Sequence, residues 1–142
     1  MQLRARVLGL DIGDRRIGVA LSDPLGLTAQ RLTVVTRHEL ARDVDAVVAL
    51  ANEHEVEAVV VGLPLTLQGQ RGEQVNHVMA FVEPLRSKLQ CPIRLVDERL
   101  TTVQGERALL ETGASRRERK RLIDQVAAQI ILQAYLDAQR HP

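Results

Sequence analysis

Aromatic side chains are nearly absent: Phe81, Tyr135 and no tryptophan make up 1% of 142 residues. Proteins that hold single-stranded nucleic acid without sequence preference stack bases on aromatic rings. A chain with so few rings would have to use phosphates and shape instead. Cysteine is reduced to Cys91, which excludes an intramolecular disulfide and any zinc site built on paired cysteines. His38, His54, His77 and His141 are scattered without an i,i+4 pair, so they read as surface histidines rather than metal ligands. No apolar run is long enough to span a bilayer, and the stretch from Val7 runs into Asp11 too soon for a secretory signal. No membrane association and a cytoplasmic location are therefore expected. Lysine is confined to Lys88 and Lys120. The remaining positive charge is arginine, which suits bidentate phosphate contact but is equally what a biased genomic base composition would give.

What is present fits one soluble α/β domain over residues 1–142. Apolar residues make up 45% and the net charge is +1, so bulk charge names no partner. Local charge is more telling: five of the six residues from Arg116 to Arg121 are basic, and Asp124 follows. Alone, that run reads as a solvated loop. Strands are expected over Leu3–Leu10, Arg16–Ser22, Gln30–Val35, Ala58–Val61 and Ile93–Asp97. The uninterrupted Ala58–Val61 run marks a sheet interior covered on both faces. Thr36 with Glu39 has capping-box spacing ahead of a helix carrying Leu40, Val44, Val47, Val48 and Ala51. A loop from Leu63 to Gly72 precedes a helix with Val75, Val78, Met79, Val82, Leu85 and Leu89, in which Pro84 predicts a kink or break. Thr101 with Gln104 repeats the capping spacing, and Gly113 suits a helix C-terminus. A last helix, opened by Asp124, has Ile123, Val126, Ala127, Ile130, Ile131 and Ala134 as its core stripe. The order is three leading antiparallel strands, then helix, strand, helix, strand, helix, helix.

Three carboxylates carry the chemistry. Asp11 closes the first strand on the face of Val7 and Gly9. Glu98 follows the run Ile93–Val96. Asp124 lies at the edge of the last helix's buried face. A lone buried carboxylate is costly, and two close together repel; a divalent ion removes both problems. Each has a plainer reading. Asp11 suits a hairpin turn, Asp97 and Glu98 suit a strand-end salt bridge with Arg94 or Arg99, and Asp124 suits a helix dipole. Strand alternation places Asp97 and Glu98 on opposite faces without choosing between them. Together the three suit Mg²⁺ or Mn²⁺ and a metal-assisted phosphodiester cleavage. Arg15, Arg16, Arg99, Arg116, Arg117 and Lys120 are the candidate phosphate contacts.

Four motifs in order resemble the YqgF/RuvX family. They are Gly9-Leu10-Asp11-Ile12-Gly13 with Arg16-Ile17-Gly18-Val19-Ala20; Val61-Gly62-Leu63-Pro64 with Gly69 and Gly72; Asp97-Glu98-Arg99-Leu100-Thr101-Thr102; and Asp124 with Ala127-Ala128 and Ile131-Leu132. The resemblance covers essentially the whole chain. It implies an RNase H-like fold with a mixed five-stranded sheet and a metal-dependent endonuclease. It implies also that Asp11, Glu98 and Asp124 are the catalytic, metal-binding acids, which favours Glu98 over Asp97. The family's usual role is maturation of the 5′ end of pre-16S rRNA. Holliday junction resolution, on branched DNA, is the alternative drawn from similarity to RuvC.

Two other classes stay open. Asp-x-Gly followed by Gly-Val-Ala also resembles the phosphate loop of actin-like ATPases and sugar kinases, although those pair two such domains and only one is visible here. A non-catalytic nucleic-acid-binding or assembly factor would use the same scaffold. Oligomeric state is open too. A symmetric junction as substrate would suggest a homodimer, and a ribosome-assembly partner is a further expectation.

Overall fold

Alternation of side chains across the sheet divides the core into two layers. The computed structural model describes residues 5–65, 68–70, 72–101, 103 and 116–140, without the side chains at 100 and 116–119. Five strands form one sheet: β1 (Val7–Ile12), β2 (Arg16–Ser22), β3 (Ala29–Thr36), β4 (Ala58–Leu63) and β5 (Ile93–Asp97). Their order is β3-β2-β1-β4-β5. β1, β2 and β3 are antiparallel neighbours, and β4 and β5 run parallel to β1. This is the mixed sheet expected from the sequence. β4 is buried at every position, as an interior strand covered on both faces must be.

Leu8, Leu10, Ile17, Val19, Leu21, Val59 and Val61 face one side, where they pack against helices α1 (Leu40–Glu53) and α2 (Glu73–Lys88). Val7, Ala20, Ala58 and Val60 face the other, against α3 (Arg116–Arg140). The α3 face is lined with small residues for a reason. A Cβ on Gly9 would stand 2.7 Å from the Leu132 Cβ, and one on Gly18 would overlap the Asp124 carbonyl oxygen outright. Glycine at these points lets α3 lie on the strands. Gln129 and Gln133 then fix its position along the sheet, through Ala29 and Leu27 backbone groups.

Several local expectations need correction. β1 begins at Val7 and runs on to Ile12, so Asp11 lies within the strand rather than closing it. Thr36 ends β3 and makes no capping box: the N-cap is Glu39, without a side-chain cap bond. Asp43 does that work from inside the helix. It is 2% exposed and accepts the His38 N–H. Leu40 is exposed, because the first helical position points away from the sheet. α2 continues through Pro84 without a break; full burial of Leu85 outweighs the hydrogen bond that proline cannot donate. The basic run Arg116–Arg121 is helical, not a loop. Asp124 is therefore well inside α3 rather than at its start, and the dipole reading of it fails. The α3 stripe is also rotated from the expected one. Ala127, Ala128, Ile131, Leu132 and Leu136 are buried, while Ile123, Val126, Ile130 and Ala134 are half-buried. Asp124 is half-buried beside the buried Ala128 and Ile131, at the edge of that face as expected. Of the expected Thr101–Gly113 helix only Thr101 and Val103 are among the described residues, and part of the Leu63–Gly72 loop also lies outside them.

Candidate active site

Asp11 and Glu98 are almost wholly buried, at 6% and 4% exposure, although one lies within β1 and the other follows β5. The sheet explains Asp11. It pairs with Gly18 on β2, on the α3 face, where neither Gly9 nor Gly18 offers a side chain to compete for space. The turn after β1 is closed by the Gly13 N–H donating to the Arg16 carbonyl at 3.0 Å.

A tight turn explains Glu98. β5 ends at Asp97, and residues Glu98–Leu100 form a single 3₁₀ turn. The Asp97 carboxylate caps that turn, accepting the Arg99 N–H at 2.9 Å, and takes the Arg99 guanidinium at 2.6 Å. These contacts hold the Asp97 carboxyl below the usual carboxylate range, chiefly through the Arg99 side chain. Asp97 thus makes the strand-end salt bridge. The turn carries the next residue inward, so Glu98 reaches over Gly62: a Cβ there would stand 3.0 Å from Glu98 Oε1. Strand alternation alone left the choice open because the strand ends at this point.

Asp124 completes the set. Its Oδ2 accepts a hydrogen bond from Arg16 Nε at 2.7 Å, with both side chains mostly buried. Asp11, Glu98 and Asp124 line one cleft of about 280 Å³ with Gly13, Gly62 and His77. The structure therefore brings together all three acids singled out from the sequence. His77 and Gln74, on the first turns of α2, also border this cleft. His77 was expected to be a surface histidine and Gln74 was not singled out; their helical spacing just after a glycine-punctuated loop was the available signal.

The donor set consists of hard carboxylate oxygens, the kind Mg²⁺ and Mn²⁺ prefer. Two buried carboxylates on one cleft wall fit such an ion. Asp124 is turned instead to the Arg16 cation. Among the described residues no three His, Cys, Asp or Glu side chains are grouped closely enough to enclose one ion. The fit is thus two acids in place and a third held by arginine.

The candidate phosphate contacts divide. Arg15, Arg16 and Lys120 line a second cleft of about 470 Å³, together with Arg37 and Arg121, which sequence reading missed. Asp14 borders both clefts. Arg99 is engaged with Asp97, lies against Gly69, and is not among the described residues lining either cleft. Arg116 and Arg117 begin α3, and their side chains lie outside the described residues. No helix among the described residues is long and apolar enough to cross a membrane.

The chain matches known proteins along nearly its whole length. The family model described as RuvX, Holliday junction resolvase, matches residues 5–138. A relative from Clostridium novyi (strain NT) is 51% identical over 133 residues, covering 94% of this chain and 98% of its own length. One from Moorella thermoacetica is 52% identical over 132 residues, covering 93% and 94%. Both carry the name "Putative pre-16S rRNA nuclease". Among solved structures, T. thermophilus RuvC in complex with Holliday junction substrate superposes with a TM-score of 0.61 at 18% identity, covering 97% of each chain. Fowlpox virus resolvase with Holliday junction DNA superposes at 0.50 and 10% identity, covering 94% of this chain and 98% of that one. At such identities the likeness establishes the fold, which is RNase H-like as expected.

Proposed function

Because the chain belongs to the RuvX family, we propose that it is a divalent-metal-dependent endonuclease acting as one domain, with the 5′ end of pre-16S rRNA as its substrate. The observation that carries the proposal is the burial of Asp11 and Glu98 on the wall of one cleft that Asp124 also lines. Carboxylates gathered on one cleft wall repel one another, and a divalent ion relieves that repulsion. The names of the relatives support the RNA substrate. The family description supports a second reading, resolution of branched DNA, in which a homodimer would place two such clefts on one junction.

In this reading Asp11 and Glu98 hold Mg²⁺ or Mn²⁺, with Asp124 as the third acid. The bound ion supplies Lewis acidity, activating water and neutralising charge on the phosphate under attack. The residues themselves supply placement. Gly13, Gly18 and Gly62 let backbone and helix approach closely enough to fix the acids. Arg15, Arg16 and Lys120 would hold neighbouring phosphates, which orients the scissile bond for in-line attack. Arg99, Arg116 and Arg117 are proposed as further phosphate contacts on the sequence alone. The protein would act in the cytoplasm, beside a ribosome-assembly partner.

The test compares wild type with Asp11→Asn, with Mn²⁺, on a pre-16S rRNA 5′ leader and on a four-way DNA junction. Cleavage of the leader, abolished in a well-folded Asp11→Asn variant, is the expected result; cleavage of the junction alone selects the second reading. Cleavage that survives in the variant overturns the site. A well-folded wild type that binds these substrates but cuts neither returns the scaffold to a binding-factor role, and stabilisation by ATP instead would favour a nucleotide-binding module.

A further inference from the structure

The second cleft is the least expected feature of the surface. The net charge of the chain is +1, yet this cleft is lined by Arg15, Arg16, Arg37, Lys120 and Arg121 against one acid, Asp14. The five cations come from the turn entering β2, the link between β3 and α1, and the third helix. Arg16 and Arg37 are held by Asp124 and Asp43, but gathering Arg15, Lys120 and Arg121 beside them adds like charge that repels. An anion relieves that repulsion.

Arg37 is the most firmly placed of the five. Its backbone N–H donates to the Arg15 carbonyl at 2.9 Å. Its Nη1 donates to the Gly13 carbonyl at 3.0 Å, and its Nε lies 3.5 Å from the buried Asp43 carboxylate. The guanidinium also lies 5.2 Å from the centre of the Phe81 ring, within cation–π range. A guanidinium has five N–H donors, more than these two oxygens use. A fork fixed in this way loses little entropy when it takes a phosphate. Asp14, in the turn beside Gly13, borders both clefts, so the two adjoin.

We propose that this basic cleft is a second phosphate subsite, in which Arg37, Lys120 and Arg121 hold a backbone phosphate of the strand being cut. The proposal rests on the carboxylate cleft being the nuclease centre. Affinity then comes from phosphate contacts, as the scarcity of aromatic rings requires.

The test measures binding apart from cleavage, by fluorescence anisotropy in EDTA from 50 to 200 mM salt. The probes are a labelled hairpin RNA and a labelled four-way DNA junction. Each phosphate contact contributes a slope of roughly −0.7 to −0.9 in log affinity against log salt. The Lys120→Gln/Arg121→Gln double variant should bind more weakly and lose a slope of about 1 to 2. Both side chains are exposed, so folding is not at stake. Arg37→Gln should lose about 1, but it also uncouples Phe81 and Asp43, which is why the exposed pair decides. A reduced slope on the RNA alone, the junction alone or both supports the subsite and identifies the nucleic acid it serves. Unchanged slopes on both probes, or no binding by wild type, overturn it. Asp11→Asn should keep the wild-type slope while losing cleavage. A reduced slope in the double variant together with no cleavage by wild type with Mn²⁺ sinks the nuclease reading and leaves the cleft as a phosphate-binding site alone.

Discussion

Replacing Gly18 by alanine should damage activity far more than one added methyl group suggests. A Cβ on Gly9 would stand 2.7 Å from Leu132, already too close. A Cβ on Gly18 would meet backbone instead, overlapping the Asp124 carbonyl and standing 3.1 Å from the Gln125 nitrogen. Carbon contacts relax only near about 3.5 Å, so α3 must retreat by roughly 1 Å or more at Asp124. Overpacking of this kind costs about 1–3 kcal/mol. A backbone clash belongs at the upper end, and the entropy lost from the unfolded chain offsets only about 0.4–1 kcal/mol. The melting temperature should fall by roughly 10 °C. Displacing a catalytic group by about 1 Å costs on the order of 100-fold in rate. Thermal unfolding and Mn²⁺-dependent cleavage would be measured for Gly18→Ala and Gly9→Ala together. Both variants should be destabilised, with the larger loss of rate at Gly18, whose clash is with Asp124 itself. A Gly18→Ala protein with wild-type melting temperature and rate would refute the claim that glycine sets the position of Asp124.

Other expectations follow from single contacts. Arg16→Gln removes the cation that holds Asp124. It should lower stability in EDTA by about 1–3 kcal/mol, and Mn²⁺ should raise its melting temperature more than it raises that of wild type; equal shifts would mean that Arg16 and the ion do not share Asp124. Asp23 accepts hydrogen bonds from the Leu27 and Thr28 N–H groups, so Asp23→Ala should cost about 1 kcal/mol in a urea titration. Those bonds, that from Thr28 foremost, hold its carboxyl below the ordinary carboxylate range. A depressed folded-state value contributes stability that is present above that range and is lost as pH falls through the folded-state value. Wild type and Asp23→Ala should therefore converge in stability at low pH, and a constant difference down to that pH would contradict the assignment.

Strand-level features were legible in the sequence where they depend only on neighbours along the chain. The bounds of β2 and β5 follow from apolar runs between turn residues. The face of Asp11 follows from alternation with Val7 and Gly9. What was not legible depends on partners far along the chain. The α3 stripe is rotated towards Asp124 because glycines on β1, β2 and β4 leave room for the helix there, and helical periodicity has no access to that. Asp43 replaces the expected Thr36–Glu39 cap because Arg37 and His38 both converge on it. The choice of Glu98 over Asp97 is made by a three-residue turn that alternation does not describe. Arg37 and Arg121 join Arg15 and Lys120 only after β3 and α3 are laid beside the β1–β2 turn. Single acidic residues at strand ends were visible; the basic cleft beside them is a product of topology.

The most direct test of the carboxylate centre is Mn²⁺ binding itself, measured by electron paramagnetic resonance on wild type, Glu98→Gln and Asp97→Asn. Their folds would be checked by circular dichroism. Glu98 is buried in the cleft and Asp97 is bound to Arg99, so the account expects saturable binding by wild type and by Asp97→Asn, lost in a folded Glu98→Gln. Binding that survives in Glu98→Gln, or is lost in Asp97→Asn alone, would contradict it.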